Sequence, residues 1–149
     1  MNIQSAYNNW SDTYDKDLNL TRDLDAEIVR KEFAQERLTS ILEVGCGTGK
    51  KTIFFSEIAD KVYAIDFSEG MINKAKEKIK SRNVNFKEAD ITRNWPIENN
   101  TIGLVTCNLI LEHIDNLDFI FSEANRCLKK QGEFFINELH PFRQYDGKK

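Results

Sequence analysis

The chain has 149 residues, which is about the commonest size for a single domain. Ten Phe, four Tyr and two Trp exclude a disordered chain, because that many large apolar side chains can build a core. The 21 basic and 24 acidic residues leave a net charge of −3, so the chain lacks the strongly basic footprint of a typical nucleic-acid-binding protein.

The N-terminal part of the chain is expected to be irregular first and helical afterwards. Residues 1–20 are predicted to be irregular, although Tyr7, Trp10 and Tyr14 are spaced at helical intervals. A helix is predicted over about 23–37, because apolar residues recur there four positions apart.

From residue 40 onwards, predicted strands and helices alternate. The predicted strands cover residues 40–44, 61–66, 84–89, 102–109 and 133–139. The predicted helices cover residues 49–59, 69–82 with Ser68 as N-cap, and 117–128, with Gly132 marking a break after the last helix. Residues around Trp95-Pro96 and Asn99-Asn100 are predicted to form a loop.

This alternation predicts the fold class. Strands that alternate with helices favour a parallel sheet with helices on both faces. With right-handed crossovers, the result is an α/β, Rossmann-like doubly wound, mostly parallel sheet of about five strands. Ligands of such sheets bind beyond the carboxyl ends of the strands, so the residues that follow each strand are the functional candidates.

Three glycines follow the first predicted strand, at Gly45, Gly47 and Gly49. They allow a sharp turn and let a ligand touch the main chain, since no Cβ intervenes. A dinucleotide-binding G-x-G-x-x-G pattern would place its third glycine at Lys50, so this pattern fails. A tight turn without a ligand is the simplest alternative.

The P-loop pattern G-x-x-x-x-G-K-[ST] also fails. With Gly49-Lys50 aligned to its G-K, the first glycine position holds Val44 and the Ser/Thr position holds Lys51. The sequence therefore gives no support to a magnesium–nucleoside triphosphate site.

The pattern [DE]-x-G-x-G-x-G is matched in full by Glu43, Gly45, Gly47 and Gly49. This segment resembles motif I of the class I S-adenosylmethionine-dependent methyltransferases. The resemblance implies S-adenosylmethionine as cofactor and S-adenosylhomocysteine as product. It implies that the glycines, with Cys46 between them, make room for the methionine moiety and ribose. Glu43 then suits the cationic amino group of the cofactor, directly or through water.

An acid ends the second predicted strand. Asp66 follows Gly45 by about 20 residues, where Rossmann-like sheets place an acid that accepts the ribose hydroxyls. Helix capping is the alternative, although Ser68 already offers a cap. Phe67 and Met71 lie where an adenine face could pack, with ordinary core packing as the alternative.

The ends of the third and fourth predicted strands extend the resemblance. Asp90 resembles the acid of the family that accepts from the adenine amine, and the backbone N–H of Ile91 would then serve a ring nitrogen. Backbone near Asn108 and Leu109 faces the cofactor in relatives. His113 resembles a histidine that is often near the methyl group, which makes it a candidate base; a purely structural His is the alternative.

Residues after the fifth predicted strand are candidates for the substrate side. The segment 128–136 resembles the entry of the family's fifth strand. Glu138 and Arg143 follow it and are predicted to contact substrate, and His140 is the second candidate base.

The N-terminal aromatic residues resemble the "Y-D-x-W…Y-D" entry of small-molecule methyltransferases of the ubiquinone/menaquinone kind. In those enzymes the segment folds over the cofactor. Tyr7, Trp10 and Tyr14 are therefore predicted to form a lid beside the substrate, with packing on the sheet edge as the alternative.

The resemblance implies a single methyltransferase domain over 1–149. Residues 1–37 form its lid and helix region, and residues 38–149 form its Rossmann-like core. The sheet of the family usually has more strands than the five predicted here, so the core is expected to be incomplete at its C-terminal side. An exposed edge of the fifth strand then predicts self-association or low stability.

The function implied by the resemblance is methyl transfer to a small-molecule acceptor. The Asn/Asp-Pro-Pro-Tyr motif of DNA-methylase-type enzymes is not found after the fourth predicted strand. A module that binds S-adenosylmethionine without catalysis is one alternative. A nicotinamide-dependent dehydrogenase is another, disfavoured by the glycine spacing.

No membrane span, signal peptide or metal site is predicted. No apolar run reaches about 18 residues, and the polar N-terminus lacks the layout of a signal peptide. Cys46, Cys107 and Cys127 are odd in number and form no C-x-x-C motif, which disfavours a disulfide framework or a zinc knuckle. A cytoplasmic location is therefore expected.

Overall fold

The computed structural model describes residues 2–140, which form a parallel sheet with helices on both faces. The strands are β1 Leu38–Val44, β2 Ala59–Asp66, β3 Val84–Glu88, β4 Ile102–Asn108 and β5 Leu128–Asn137. The helices are α1 Ile3–Trp10, α2 Leu20–Glu32, α3 Thr52–Ile58, α4 Glu69–Lys78 and α5 Leu117–Cys127, with a 3-10 turn at Leu111–His113.

The strand order is β3-β2-β1-β4-β5, and every neighbouring pair is parallel. The chain moves outward in one direction from β1 to β3 and then returns beside β1 as β4. The order of the strands therefore reverses between β1 and β4, which is where ligands bind in doubly wound sheets. The predicted fold class is confirmed.

The two faces of the sheet bury separate apolar clusters. Val29 of α2 and Phe55 of α3 pack on one face, around Ile41 of β1. Ile120 and Ala124 of α5 pack on the other face. Burial on both faces explains why the central strands read as short, nearly continuous apolar runs.

The prediction of an irregular segment over residues 1–20 is wrong at its start, where α1 forms. Asn2 caps this helix, because its side chain accepts the N–H of Ser5 at 2.7 Å. The helix packs closely on α4 at Gly70, where a Cβ would lie only 2.6 Å from the hydroxyl of Ser11.

Helix boundaries differ from those predicted at several caps. Helix α2 begins at Leu20 because Asn19 accepts the N–H of Arg22 at 3.0 Å, and it ends at Glu32. Helix α3 begins only at Thr52, after the glycine loop. The predicted cap of α4 is confirmed, since Ser68 accepts the N–H of Met71 at 3.2 Å, but the helix ends at Lys78.

Gly132 does not mark the break after the last helix that the sequence predicts. Helix α5 ends at Cys127 and β5 starts at once, with the register stepping from Ile102↔Leu128 to Leu104↔Glu133. The residues between bulge out of the ladder, and Gln131 adopts a φ of 66°. A Cβ on Gly132 would lie 2.9 Å from a Leu128 methyl, so the glycine serves this bulge.

Within residues 2–140, none of the helices is both long enough and apolar enough to cross a bilayer.

Candidate functional site

A cavity of about 840 Å³ lies at the carboxyl ends of the strands, beside the reversal between β1 and β4. Its wall is made by α1, by the loop after β1 and by the residues that end β2, β3 and β4. Of the predicted cofactor residues, the lining contains Gly45, Cys46, Gly47, Asp66, Phe67, Met71, Asp90, Ile91, Asn108 and Leu109. The structure therefore brings most of the predicted set to one place.

The three glycines after β1 share a left-handed backbone but have different surroundings. Their φ angles are 77° at Gly45, 56° at Gly47 and 87° at Gly49. A Cβ on Gly45 would lie 2.7 Å from Ile110, and a Cβ on Gly49 would lie 2.7 Å from Ile79. A Cβ on Gly47 would meet no heavy atom within 4 Å. Gly47 thus presents bare backbone to open space, whereas Gly49 packs under α4 and does not line the cavity.

Asp66 fastens the glycine loop to the end of β2. One carboxylate oxygen accepts the N–H of Gly47 at 2.9 Å, and the other accepts the N–H of Ser68 at 2.9 Å. Burial raises the pKa of Asp66, and the N–H donors of Ser68, Gly47 and Phe67 oppose that shift. Asp66 also lines the cavity, so it both shapes the loop and forms part of the cavity wall.

Asp90 lies on the wall beyond β3. Its Oδ1 accepts the N–H of Thr92 at 3.0 Å and the hydroxyl at 2.6 Å. The hydrogen bond from the Thr92 side chain is the main cause that lowers the pKa of Asp90, so the group is anionic at neutral pH. The carbonyl of the neighbouring Ile91 accepts a hydrogen bond from Nε1–H of Trp95 at 2.9 Å, which fixes the backbone at Ile91.

Glu43 lies behind the glycine loop and does not line the cavity. Its side chain is buried, Oε2 accepts the hydroxyl of Thr52 at 2.5 Å, and Oε1 has no hydrogen-bond partner. Burial raises its pKa from 4.5 to about 7, against the lowering effect of the Lys51 ammonium. Its carboxyl group therefore has no direct contact with the cavity.

The segment after β4 forms the opposite wall. Leu109 adopts a left-handed φ of 57° and donates its N–H to the carbonyl of Asn137 at 2.9 Å. The N–H groups of Ile110 and Leu111 donate to Oε1 of Glu138 at 2.9 and 3.0 Å. Glu138, predicted to contact substrate, thus holds this wall from behind and does not line the main cavity.

The two predicted bases separate in space. His113 ends the 3-10 turn and lines the main cavity, and its Nε2 lies 3.5 Å from Oε1 of Glu112. His140 lines a second cavity of about 500 Å³, next to Glu138. The predicted substrate residue Arg143 lies outside the described residues.

Two of the three N-terminal aromatic residues line the main cavity, and the third packs against them from outside. Tyr7 and Tyr14 line the main cavity, and Tyr7 packs edge-on against Phe67 with ring centroids 5.4 Å apart. Trp10 does not line it; its ring lies 4.6 Å from the Tyr14 centroid, and its Nε1 donates to Asp17 at 2.6 Å. Burial is the main cause that raises the pKa of Tyr7.

Two polar residues that sequence reasoning missed attach α1 to the site. Nε2 of Gln4 donates to the carbonyl of Phe67 at 2.6 Å. Oδ1 of Asn8 accepts the hydroxyl of Ser68 at 2.6 Å and the N–H of Gly70 at 3.1 Å. The sequence carries no local signal for either contact, because both partners come from another helix or strand end.

A buried acid on α2 was also missed. The side chain of Asp25 is fully buried, and its Oδ1 accepts the amides of Asn108 and Asn137, each at 2.7 Å. Its Oδ2 lies 2.8 Å from Nζ of Lys51. A single Asp within an amphipathic helix carries no pattern that could have singled it out.

Comparisons with known proteins agree with this geometry. Residues 42–136 match the protein family described as "Methyltransferase domain". Malonyl-[acyl-carrier protein] O-methyltransferase 2 of Coxiella burnetii is 33% identical over 110 residues, which is 72% of this chain and 44% of the relative. Demethylmenaquinone methyltransferase of Staphylococcus aureus is 35% identical over 108 residues, which is 70% of this chain and 44% of the relative.

Among solved structures, a putative S-adenosylmethionine-dependent methyltransferase from Listeria monocytogenes aligns with a TM-score of 0.74 at 30% identity. The alignment covers 85% of this chain and 60% of that one. The DhpI-SAM-HEP complex aligns with a TM-score of 0.76 at 23% identity, over 97% of this chain and 68% of that one, which shows a shared fold. The chain spans less than half the length of the curated relatives described above.

Proposed function

Because the chain belongs to the class I S-adenosylmethionine-dependent methyltransferases, we propose that it transfers a methyl group from S-adenosylmethionine to a small-molecule acceptor. The single observation that carries the proposal is the glycine loop tied to Asp66 at the mouth of the cavity. When bound, the cofactor would supply a methyl group activated by a positively charged sulfur, for in-line transfer that forms an acceptor–carbon bond, breaks the carbon–sulfur bond and releases S-adenosylhomocysteine.

The residues present fit this cofactor. The open space beside Gly47 lets a ligand approach the main chain, and Asp66 and Asp90 offer carboxylates that accept from hydroxyl and amine groups. A dinucleotide would also need partners for its pyrophosphate. Lys50, Lys51 and Arg22 line the cavity, but the lysines are paired with Asp23 and Asp25, and the Arg22 guanidinium donates to backbone carbonyls. The charge pattern therefore favours S-adenosylmethionine over a nicotinamide cofactor.

In this proposal the residues at each strand end bind one part of the cofactor. Asp66 accepts the ribose hydroxyls, with Phe67 and Met71 beside the adenine ring. Asp90 accepts the adenine amine, and the backbone of Ile91 serves a ring nitrogen. All five residues line the same cavity, which supports this division.

The methionine end of the cofactor belongs at the glycine loop. Gly47 gives it room, Gly45 lines the same wall, and the backbone of Asn108 and Leu109 closes the other side. Glu43 lies buried behind the loop, and its ionised form favours a cationic amino group in front of it.

The acceptor side of the cavity is apolar. Ile3, Ile110 and Ile114 line it, and Tyr7 and His113 are the titratable groups beside them. This lining supports a small acceptor with an apolar face. One relative is named as a demethylmenaquinone methyltransferase and another as a malonyl-[acyl-carrier protein] O-methyltransferase. Of these two kinds of acceptor, the apolar wall fits the first better.

The chain itself has little covalent chemistry to supply. Holding donor and acceptor in line contributes roughly 7–11 kcal/mol to lowering the barrier. His113 accepts a proton where the acceptor atom carries one, which adds about 10²–10⁴-fold to the rate.

Calorimetric titration tests the proposal. The wild-type chain is titrated with S-adenosylmethionine, S-adenosylhomocysteine and NAD, beside Asp66→Ala and the control Asp60→Ala. Asp60 lies exposed near the amino end of β2, away from the cavity. We expect both sulfur ligands to bind to the wild type and to Asp60→Ala but not to Asp66→Ala, with NAD silent throughout.

Absence of binding to the wild type would overturn the proposal. Binding without methyl transfer to any member of a panel of small quinols, phenols, carboxylates and amines would favour the non-catalytic binding module instead. Catalysis is followed as formation of S-adenosylhomocysteine, which is released whichever acceptor is methylated.

We further propose that residues 1–149 act as one domain, with 1–37 as its lid and helix region. The three cysteines are free and buried, which supports a reducing, cytoplasmic location.

A further inference from the structure

We infer that Asp25 is a positioning residue, whose buried carboxylate holds the ends of β4 and β5 and the start of α3 in the arrangement that shapes the donor site. The inference rests on the proposed function, because the site that Asp25 positions is the one proposed to bind S-adenosylmethionine. Asp25 itself does not line the main cavity.

The carboxylate of Asp25 connects four elements at one point. It projects from α2 and accepts the side-chain amides of Asn108 and Asn137, each at 2.7 Å. These two asparagines are direct neighbours in the register of β4 and β5 and are the last residues of their strands. Lys51, which precedes α3, lies 2.8 Å from the other carboxylate oxygen. Both strand ends thus share one acceptor oxygen, and the end of the glycine loop forms an ion pair with the other oxygen of the same carboxylate.

Two of the residues that Asp25 holds form part of the cavity wall. Asn108 and Lys51 line it, and Asn108 precedes Leu109, which lines it as well. Leu109 keeps a left-handed φ of 57°, a conformation that a non-glycine residue retains only where its surroundings determine it. Its N–H bond to the carbonyl of Asn137 supplies one restraint, and Asp25 supplies the second by fixing both asparagine side chains.

The contacts require a carboxylate at this position. Oδ1 accepts two amide donors, and Oδ2 faces an ammonium whose side chain is only 16% exposed. An amide would keep the first oxygen and would turn an N–H donor toward the Lys51 cation. The isosteric Asp25→Asn therefore keeps the volume of the core but releases Lys51, and it weakens both asparagine hydrogen bonds because their shared acceptor oxygen loses its charge.

A purely stabilising role for Asp25 makes a different prediction, and Val29 provides the matched control. Val29 lies on the same helix, is fully buried, and packs in the apolar cluster on the face of the sheet, away from the strand ends. Val29→Ala weakens the attachment of α2 without touching either asparagine or Lys51. If Asp25 only stabilised the fold, the two variants would bind ligand equally well wherever both are folded.

Calorimetric titration with S-adenosylhomocysteine decides the question. The wild type, Asp25→Asn and Val29→Ala are compared well below the Tm of each. We expect the Kd of Asp25→Asn to rise about tenfold or more, as for the loss of a hydrogen bond to a charged group, and that of Val29→Ala to stay within about twofold. A Kd for Asp25→Asn that matches either the wild type or Val29→Ala overturns the inference.

A milder variant decides the question if Asp25→Asn does not fold. Asn137→Ala removes one amide donor but keeps the backbone carbonyl that accepts from Leu109. We expect its Kd to rise about threefold or more, and an unchanged Kd overturns the inference. No binding by the wild type overturns the proposed function and removes the inference with it, whereas binding by the wild type with unchanged variants overturns the inference alone.

Discussion

The carboxylate of Asp66 accepts the backbone N–H of Gly47 at 2.9 Å, so the acid that ends β2 and the loop that follows β1 behave as one unit. The second carboxylate oxygen accepts from Ser68, at the start of α4. Two neighbouring strand ends are thereby held together before any ligand arrives. Preorganisation of this kind lowers the entropic cost of binding.

Hydrogen exchange tests this connection. In Asp66→Asn, an amide nitrogen must face one of the two N–H donors, so one hydrogen bond is lost. We expect the Gly47 amide of the unliganded variant to exchange about tenfold faster or more, because its acceptor either is replaced by the amide nitrogen or loses its charge. The Gly49 amide, which donates to the carbonyl of Cys46 at 3.1 Å, is the internal control. Equal acceleration at both amides would indicate general loosening of the loop instead.

Two glycine substitutions should separate binding from packing. Gly47→Ala finds open space, so its stability cost is the strain of a left-handed Ala, about 1–2 kcal/mol. Its methyl group, however, enters the cavity, and the Kd for S-adenosylhomocysteine should rise more than about tenfold. Gly49→Ala adds a clash with Ile79 and should lower the free energy of unfolding more, with a smaller change in Kd. Calorimetry and urea unfolding measure both quantities, and the reverse ranking would contradict our assignment of the two glycines.

Glu43 should make stability depend on pH. Burial raises its pKa in the folded state from 4.5 to about 7, so the folded chain holds this proton more tightly than the unfolded chain. The stability from this group is therefore complete below about pH 4.5 and is lost as pH rises toward 7, on the order of a few kcal/mol.

Substitution of Glu43 should remove this dependence. The free energy of unfolding of Glu43→Gln, relative to wild type, should become more favourable between pH 5 and 7 and level off above. Urea unfolding at pH 5, 6, 7 and 8 measures it, with Glu57→Gln on the exposed side of α3 as control. A constant difference across this range would show that Glu43 does not titrate there. At pH 8, where Glu43 is ionised, the same variant should bind S-adenosylhomocysteine more weakly, because the negative charge behind the loop is gone.

The two predicted bases should differ in their effect on turnover. With an acceptor that loses a proton, His113→Gln should lower kcat about 10²–10⁴-fold and leave the Kd for S-adenosylhomocysteine nearly unchanged. His140→Gln should have little effect, because His140 lies beside the second cavity. Initial rates of S-adenosylhomocysteine formation measure kcat for both variants. A larger loss of kcat in His140→Gln than in His113→Gln would make His140 the base instead.

The edge of β5 should support self-association. Within residues 2–140, β5 pairs only with β4, and Ile136, Phe121 and Leu117 leave apolar surface exposed beside it. Unpaired strand edges recruit further strands. Sedimentation velocity should show a mass that increases with protein concentration, and Ile136→Lys should reduce this increase. Ile53→Lys, at an exposed position of α3, is the control. A monomer at all concentrations would contradict the expectation.

The strand ends could be predicted from the sequence because their signals are local. Each central strand is a short apolar run, and Glu43, Asp66 and Asp90 stand at or just beyond a run where polarity returns. The carboxyl ends of parallel strands meet at one edge of the sheet, so alternation of strands and helices was enough to gather these residues. For the same reason, the fold class followed from the order of elements alone, with no tertiary contact required.

The local sequence could not decide which residues support the site, because their partners are distant in the chain. Asp25 meets Asn137 across 112 positions, and Asn8 meets Ser68 across 60. Nor could the spacing of the glycines separate Gly47, which faces open space, from Gly49, which packs under α4. Sequence patterns report periodicity and turn chemistry over a few residues, and so they determined the strands, the glycine loop and the acids. Only the packing of α1, α2 and α4 against the strand ends decided which of these side chains face the cavity and which hold it in place.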